Sequence, residues 1–218
     1  MIECIFAKLF LKNGNKIILH KKDGRVCEVA FIKGLDIKFK GRNSTVEIWE
    51  PYNFVKKFGP KKSKIYIDGD NNYVGLKSSK QSINSLRLIG LKDNNKVIIG
   101  ENFYSTGVLK IEFADLSNIT LNIGDNCMFG QGVSIMLSDC HIIKDITTGQ
   151  QINKPKHGVT IGNKVWLARD VKILKDVSIG DNTVVATGSV VTKSFSDNNV
   201  LLAGIPARVV KSNIDWEK

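Results

Sequence analysis

Residues 161–196 read IGNKVW LARDVK ILKDVS IGDNTV VATGSV VTKSFS. Positions 161, 167, 173, 179, 185 and 191 are Ile, Leu, Ile, Ile, Val and Val, and the next residue is Gly or Ala at four of the six. The fifth places are Val165, Val171 and Val177, then Thr183, Ser189 and Phe195. An amphipathic helix would repeat its apolar residues at intervals of three and four, and a half-buried strand at intervals of two. A period of six requires a short strand and a corner, repeated. One aliphatic side chain fills the interior at each corner, a small neighbour lets the chain bend, and Asn or Gly, as in GDN at 180–182, suits a corner with positive φ. Three such units form a triangular coil of about 18 residues. Stacked coils bury one apolar column between three parallel sheets whose strands lie about 4.8 Å apart.

The register extends upstream. Ile123, Phe129 and Ile135 are six apart, with Gly124 and Gly130 behind the first two; Ile99 with Gly100, and Ile111, continue it less regularly. Earlier pieces, LDIKFKGRNSTVEIWE, SKIYIDGDNNYVGL and LRLIGL, alternate and end in Gly, Asn or Asp, as irregular coils of the same column would. Residues 1–33 differ: NKIILHKKDGRVCEVAF predicts a hairpin about Asp23-Gly24, placed to cap the open end of the column. The expected organisation is a hairpin cap over 1–33, an all-β parallel helix over 34–211 with a loop extruded at 142–158, and a tail over 212–218.

Composition narrows the class. The hydrophobic share is 42%, and no run approaches the roughly 20 apolar residues of a membrane span. The start, MIECIFAKLFLKNGNK, is interrupted by Glu3 and Lys8 and lacks a small-residue cleavage site, which predicts a cytoplasmic protein. Cys4, Cys27, Cys127 and Cys140 share no metal-ligand spacing and are expected to be buried free thiols. The net charge of +11, from 32 Lys and Arg against 21 Asp and Glu, suits polyanionic partners or a phosphate-bearing cosubstrate, or reflects a lysine-rich genome. No nucleic-acid motif accompanies it.

The repeat breaks at one place. Six residues beyond Ile135 stands His141, in MLSDCHIIKD; the next well-formed corner is Ile161. Counting by six puts the histidine in an interior slot, at the root of a polar loop containing Gly149, Pro155 and Gly158. A side chain with a pKa of about 6.5 can take a proton from a hydroxyl at neutral pH. An isolated histidine is nonetheless more often structural than catalytic. Asp139, two residues earlier, can share its strand face, where it would either orient the imidazole or be a solvated turn residue. Trp166 occupies an outward slot, fit for packing or for lining a site.

The chain resembles the left-handed β-helix acyltransferases built on hexapeptide repeats. The resemblance spans roughly residues 35–211 and is strongest in GVTIGNKVWLARDVKILKDVSIGDNTVVATGSVVTKSF and LLAGIPARVVK. From 139 to 216, including INKPK and VVKSNIDW, it is most similar to the capsule-polysaccharide members, among them the sialic acid O-acetyltransferases. The resemblance implies acetyl transfer from acetyl-CoA, without a metal, to a hydroxyl of a surface sugar or polysaccharide. It implies that His141 in DCHIIKD is the general base and that Trp166 lies in the cleft beside the pantetheine arm and the acceptor. Ala168, Ala186 and Gly188 would leave room for that arm, and Thr192, Lys193 and Arg208 would lie near the adenine and phosphates. Lys154, Lys156 and His157 in the loop would meet an anionic acceptor, and Pro206 would mark the chain leaving the last coil. His20 receives no role. Family members are trimers with active sites between columns, so a homotrimer is expected, with His141 and Trp166 meeting from different chains. The residues alone leave open N-acetylation of an amino sugar nucleotide and a rod without catalysis. Three histidines in this layout give no credible zinc site of the kind the β-helix carbonic anhydrases need.

Overall fold

The computed structural model describes residues 11–55 and 62–218. Among them there is no helix, and hence none long and apolar enough to cross a membrane. Strands form three sheets that the chain visits in turn. Sheet 1 stacks Lys16–His20, Thr45–Trp49, Tyr73–Leu76, Lys96–Ile99, Thr120–Ile123, Gly158–Ile161 and Ser178–Ile179 in parallel. Sheet 2 stacks Phe54–Val55, Ile83–Asn84, Tyr104–Ser105, Met128–Phe129, Trp166–Leu167, Val184–Val185 and Val200–Gly204, closed by antiparallel Ala207–Ser212. Sheet 3 stacks Leu35–Phe39, Ser63–Ile67, Leu86–Leu91, Leu109–Leu116, Val133–Met136, Lys172–Ile173 and Val190–Val191. At the lower end Val26–Glu28 folds back antiparallel on Lys16–His20 through a turn with Gly24 at φ 83°.

The six-spaced aliphatic residues point inward. Ile161, Leu167, Ile173, Ile179, Val185 and Val191 are all 3% exposed or less, and the fifth-place residues Thr183 and Ser189 are buried with them. Toward the upper end a coil takes 18 residues, as from Asn163 to Asp181. The lower coils are longer, with 24 residues from Asp93 to Ser117 and 28 from Arg42 to Asp70. In the 24-residue coil the extra residues lie in the third sheet, where Leu109–Leu116 buries Leu109, Ile111 and Phe113 on one strand. The irregular register there has a second cause: the slot between Ile99 and Ile111 holds Ser105, fully buried and bonded to Asn84.

At the corners, positive φ falls on Asn102, Asn126, Lys164, Asn182 and Asn199, one above the other, rather than on the glycine beside each aliphatic residue. Those glycines serve close stacking. A Cβ on Gly124 would lie 2.7 Å from the backbone of Gly162, a separation real Cβ atoms do not adopt. Asn side chains link successive corners, as where Asn94 donates to Asn118 at 3.2 Å.

Candidate active site

The repeat breaks as the sequence predicts, but a different residue fills the interior. Leu137, fully buried, continues the third sheet above Phe113, its N–H donating to Glu112 O at 3.0 Å. His141 is exposed and lies outside the column, not in an inner slot. The cause is the coil below: its strand is one inward residue longer than a hexapeptide, so the chain must pass Phe113 before it can turn out. It then turns sharply. Cys140 has φ 64°, and His141 N–H donates to Asp139 O at 2.8 Å, a three-residue turn that is rare and strained for a non-glycine residue. Cys140 is exposed, against the expectation of a buried thiol, because it belongs to this turn; Cys127 is buried, Cys27 is half-buried, and Cys4 lies outside the described residues.

The extruded segment is a small hairpin. Ile152 N–H donates to Ile143 O at 2.9 Å, and the carboxylate of Asp145 caps the tip through the N–H groups of Thr147 and Thr148. Its apolar side chains face outward: Ile142, Ile143, Ile146 and Ile152 are all more than half exposed. Two carboxylates tie it down. At the root, Asp139 accepts a charged hydrogen bond from Lys175 and one of 2.9 Å from Asn153, whose amide also donates to His141 O at 2.8 Å. The Lys175 bond holds the Asp139 carboxyl below its ordinary range. At the return, Asp176 Oδ1 accepts the N–H groups of Lys156 and His157 at 2.8 Å each and of Gly158 at 3.3 Å. Burial alone would raise the Asp176 carboxyl, but these three donors outweigh it and the net shift is downward. Among the described residues the His141 ring has no hydrogen-bond partner; its backbone, not its imidazole, is what the loop root holds.

The residues singled out in the sequence fall into two groups. The first gathers at the edge where the third sheet leads into the first. It contains His141, Asp139, exposed Lys156 and His157, and, two coils up, exposed Thr192 and Lys193. The stacking is fixed by Leu174 N–H donating to Val191 O and Ser194 Oγ donating to Asp176 O. Lys154 is exposed on the same hairpin. Asn153, Lys175 and Asp176 belong here too, and sequence reading missed them. Lys175 and Asp176 look like ordinary corner residues in ILKDVS until the loop is seen to return onto them.

The second group lies on the second sheet. Trp166 stands half-buried between Met128 and Val184 on the outer face. Beside it a groove of about 500 Å³ is lined by Thr106, Met128, Gln131, Ala168, Arg169 and Thr187, with Gly130 in its floor. Ala168 lies beneath Ala186, each hydrogen-bonded to the coil above. Gly188, at φ 70°, has open space where a Cβ would stand. Arg208 follows the closing turn, whose Gly204 N–H donates to Ser189 Oγ at 3.2 Å. An open groove walled by an indole and floored by small residues fits an extended, thin ligand arm. Among the described residues no three His, Cys, Asp or Glu side chains gather as metal ligands. His20 lies at the far end of the column, stacked on Trp49 with centroids 4.1 Å apart.

Known proteins share this architecture. A family model described as Bacterial transferase hexapeptide (six repeats) matches residues 158–193. Polysialic acid O-acetyltransferase of Neisseria meningitidis is 35% identical, over 71% of this chain and 79% of that protein. Galactoside O-acetyltransferase of Escherichia coli K12 is 34% identical over 57% of this chain, which spans 58% of that protein. In three dimensions the chain is similar to the polySia specific acetyltransferase NeuO, with a TM-score of 0.72 and 28% identity over 94% of this chain and 85% of that one.

Proposed function

From the premise that the chain belongs to the left-handed β-helix, hexapeptide-repeat acetyltransferases, we propose that it transfers acetyl from acetyl-CoA to a hydroxyl of a bacterial surface sugar or polysaccharide. The observation that carries the reading is the likeness to polysialic acid O-acetyltransferases over most of both chains, in sequence and in structure.

In this reading His141 is the general base. The imidazole takes the acceptor's hydroxyl proton as the oxygen attacks the thioester carbonyl. The tetrahedral intermediate collapses, the C–S bond breaks, and the imidazolium returns the proton to the departing thiolate of coenzyme A. Backbone N–H groups at the groove are the natural donors to the developing oxyanion. The strained turn at Cys140 and the ties through Asn153, Lys175 and Asp176 support it by fixing the backbone from which the imidazole projects. Trp166 forms a flat wall of the cleft; Ala168, Ala186 and Gly188 admit the pantetheine arm. Thr192, Lys193 and Arg208 serve the nucleotide end, where Arg and Lys suit phosphate. Lys154, Lys156 and His157 meet the acceptor, and the excess of positive charge suits an anionic one.

The active unit in this reading is a homotrimer. His141 and Trp166 project from different faces of one column, so a second chain is needed to bring the two groups together. The exposed isoleucines of the hairpin give that chain an apolar surface to cover. The reaction is assigned to the cytoplasm, where acetyl-CoA is available.

The test is mass spectrometry of candidate acceptors incubated with acetyl-CoA and the protein: oligosialic acid, neutral galactosides and amino sugar nucleotides. Mass gain of one acetyl group, labile to mild base, on a sugar hydroxyl is expected. Stable acetylation of the amino sugar nucleotide alone would replace this reading with N-acetylation, and no transfer to any of them would remove it.

A further inference from the structure

The last residues of the chain do not trail into solvent. After Ala207–Ser212 the backbone turns down the edge between the first and second sheets, along the stacked left-handed corners. Ile214 O accepts from the amides of Asn182 and Asn199 at 3.4 and 3.3 Å. Asp215 pairs with Lys164 at 2.5 Å. Lys218 Nζ reaches Asn102 O at 3.3 Å, four corners below Asn199.

In the middle of this strap stands Trp216. It is 8% exposed, although its neighbours Asp215, Glu217 and Lys218 are exposed. Its indole N–H donates to Lys164 O at 2.8 Å, and its ring lies against Trp166, centroids 5.9 Å apart at 44°. Lys164 is the left-handed corner residue, φ 51°, from which the chain enters Trp166. One side chain therefore fixes both the corner that launches Trp166 and one face of its indole. An indole on an outer sheet face would otherwise choose among rotamers. The pair is built at that point although neither ring is needed to fill the interior, which Leu167 and Val165 already occupy.

We propose that Trp216 is a positioning residue for acetyl transfer: it holds the Trp166 indole in the orientation that walls the pantetheine groove. The proposal rests on the reading of Trp166 given above. It assigns the tail a role in cosubstrate binding rather than in folding alone.

The test uses the full chain with coenzyme A as the probe, in four variants: Trp216→Ala, Trp216→Phe, Trp166→Ala and the double alanine. Calorimetric affinity and far-ultraviolet circular dichroism are read well below the melting temperature. Paired indoles give an exciton couplet, and it is lost in every variant. Trp216→Ala is expected to weaken coenzyme A binding about three- to tenfold, the size of one aromatic pair contact. Trp216→Phe, which keeps an aromatic face, recovers most of that loss. The double variant binds as Trp166→Ala does, because a residue that acts only through Trp166 has nothing left to position. Unchanged affinity in Trp216→Ala, or a loss that adds in full to that of Trp166→Ala, overturns the proposal while leaving Trp166 its role. Unchanged affinity and turnover in Trp166→Ala itself overturns that role, and the proposal with it.

Discussion

Asp139 gives its carboxylate to Lys175, not to the imidazole of His141 two residues on. Asn153 joins the same oxygen and also holds the carbonyl of His141. The aspartate thus belongs to the anchorage of the hairpin, and His141 is placed through its backbone. If this division holds, Asp139→Ala, Lys175→Met and Asn153→Ala form one class, each lowering kcat about tenfold with similar pH profiles. A carboxylate orienting the imidazole directly would behave otherwise: Asp139→Ala alone would cost about 10⁴ in kcat. Steady-state kinetics of the three variants separate the two cases.

His141→Ala should lower acetyl transfer by about 10²- to 10⁴-fold, the usual worth of a general base, while coenzyme A binds nearly as before. Near-full activity in this variant would remove His141 from the mechanism.

Trp166→Ala should reduce turnover strongly, and Trp166→Phe much less. If the alanine variant loses only thermal stability, the indole packs the surface and does not wall the cleft. Melting curves beside kcat/KM values decide this.

Asp176 holds the returning loop through three backbone N–H groups and sits at φ 60°. Asparagine keeps an acceptor and tolerates that conformation; alanine does neither. Asp176→Ala should cost about 2 kcal/mol and Asp176→Asn much less. The folded carboxyl titrates below its unfolded value, so its contribution is complete above the ordinary carboxylate range and is lost as pH falls through the folded pKa. Proteolytic nicking within residues 142–157 should therefore rise in acid. Asp176→Asn should remove the share of that dependence due to this carboxyl.

Tyr73 gives an alkaline counterpart. Its hydroxyl donates to Glu47 at 3.1 Å, and burial, then the Glu47 charge, push it up to about 12. The neutral phenol is favoured in the folded chain, so stability is complete below the unfolded pKa of about 10 and falls as pH rises from there toward 12. Comparing alkaline urea titrations of the parent and Tyr73→Phe isolates the effect; identical pH dependence would show that neither burial nor Glu47 restrains this hydroxyl in the folded chain.

The period of six was enough to assign the column. An inner position in such a coil is set by bond geometry within a few residues, so Ile161, Leu167, Ile173, Ile179, Val185 and Val191 announce themselves in order. The break after Ile135 and the loop that follows were visible for the same reason. What lies opposite a residue in the next coil is not local. Counting by six put His141 inside, but the depth of the coil below put Leu137 there, over Phe113, and the histidine outside. Asn153, Lys175 and Asp176 became site residues only when the stack brought residues 12 to 36 apart in the chain into contact. Trp216 stands among charged tail residues outside the repeat, and its contact with Trp166 was fixed only by the path of the tail down the corners. Sequence determined the repeat, because steric period is a property of neighbours along the chain. Tertiary structure alone decided the site, because hydrogen bonds and ring contacts depend on which coils are stacked and how far each strand runs before it turns.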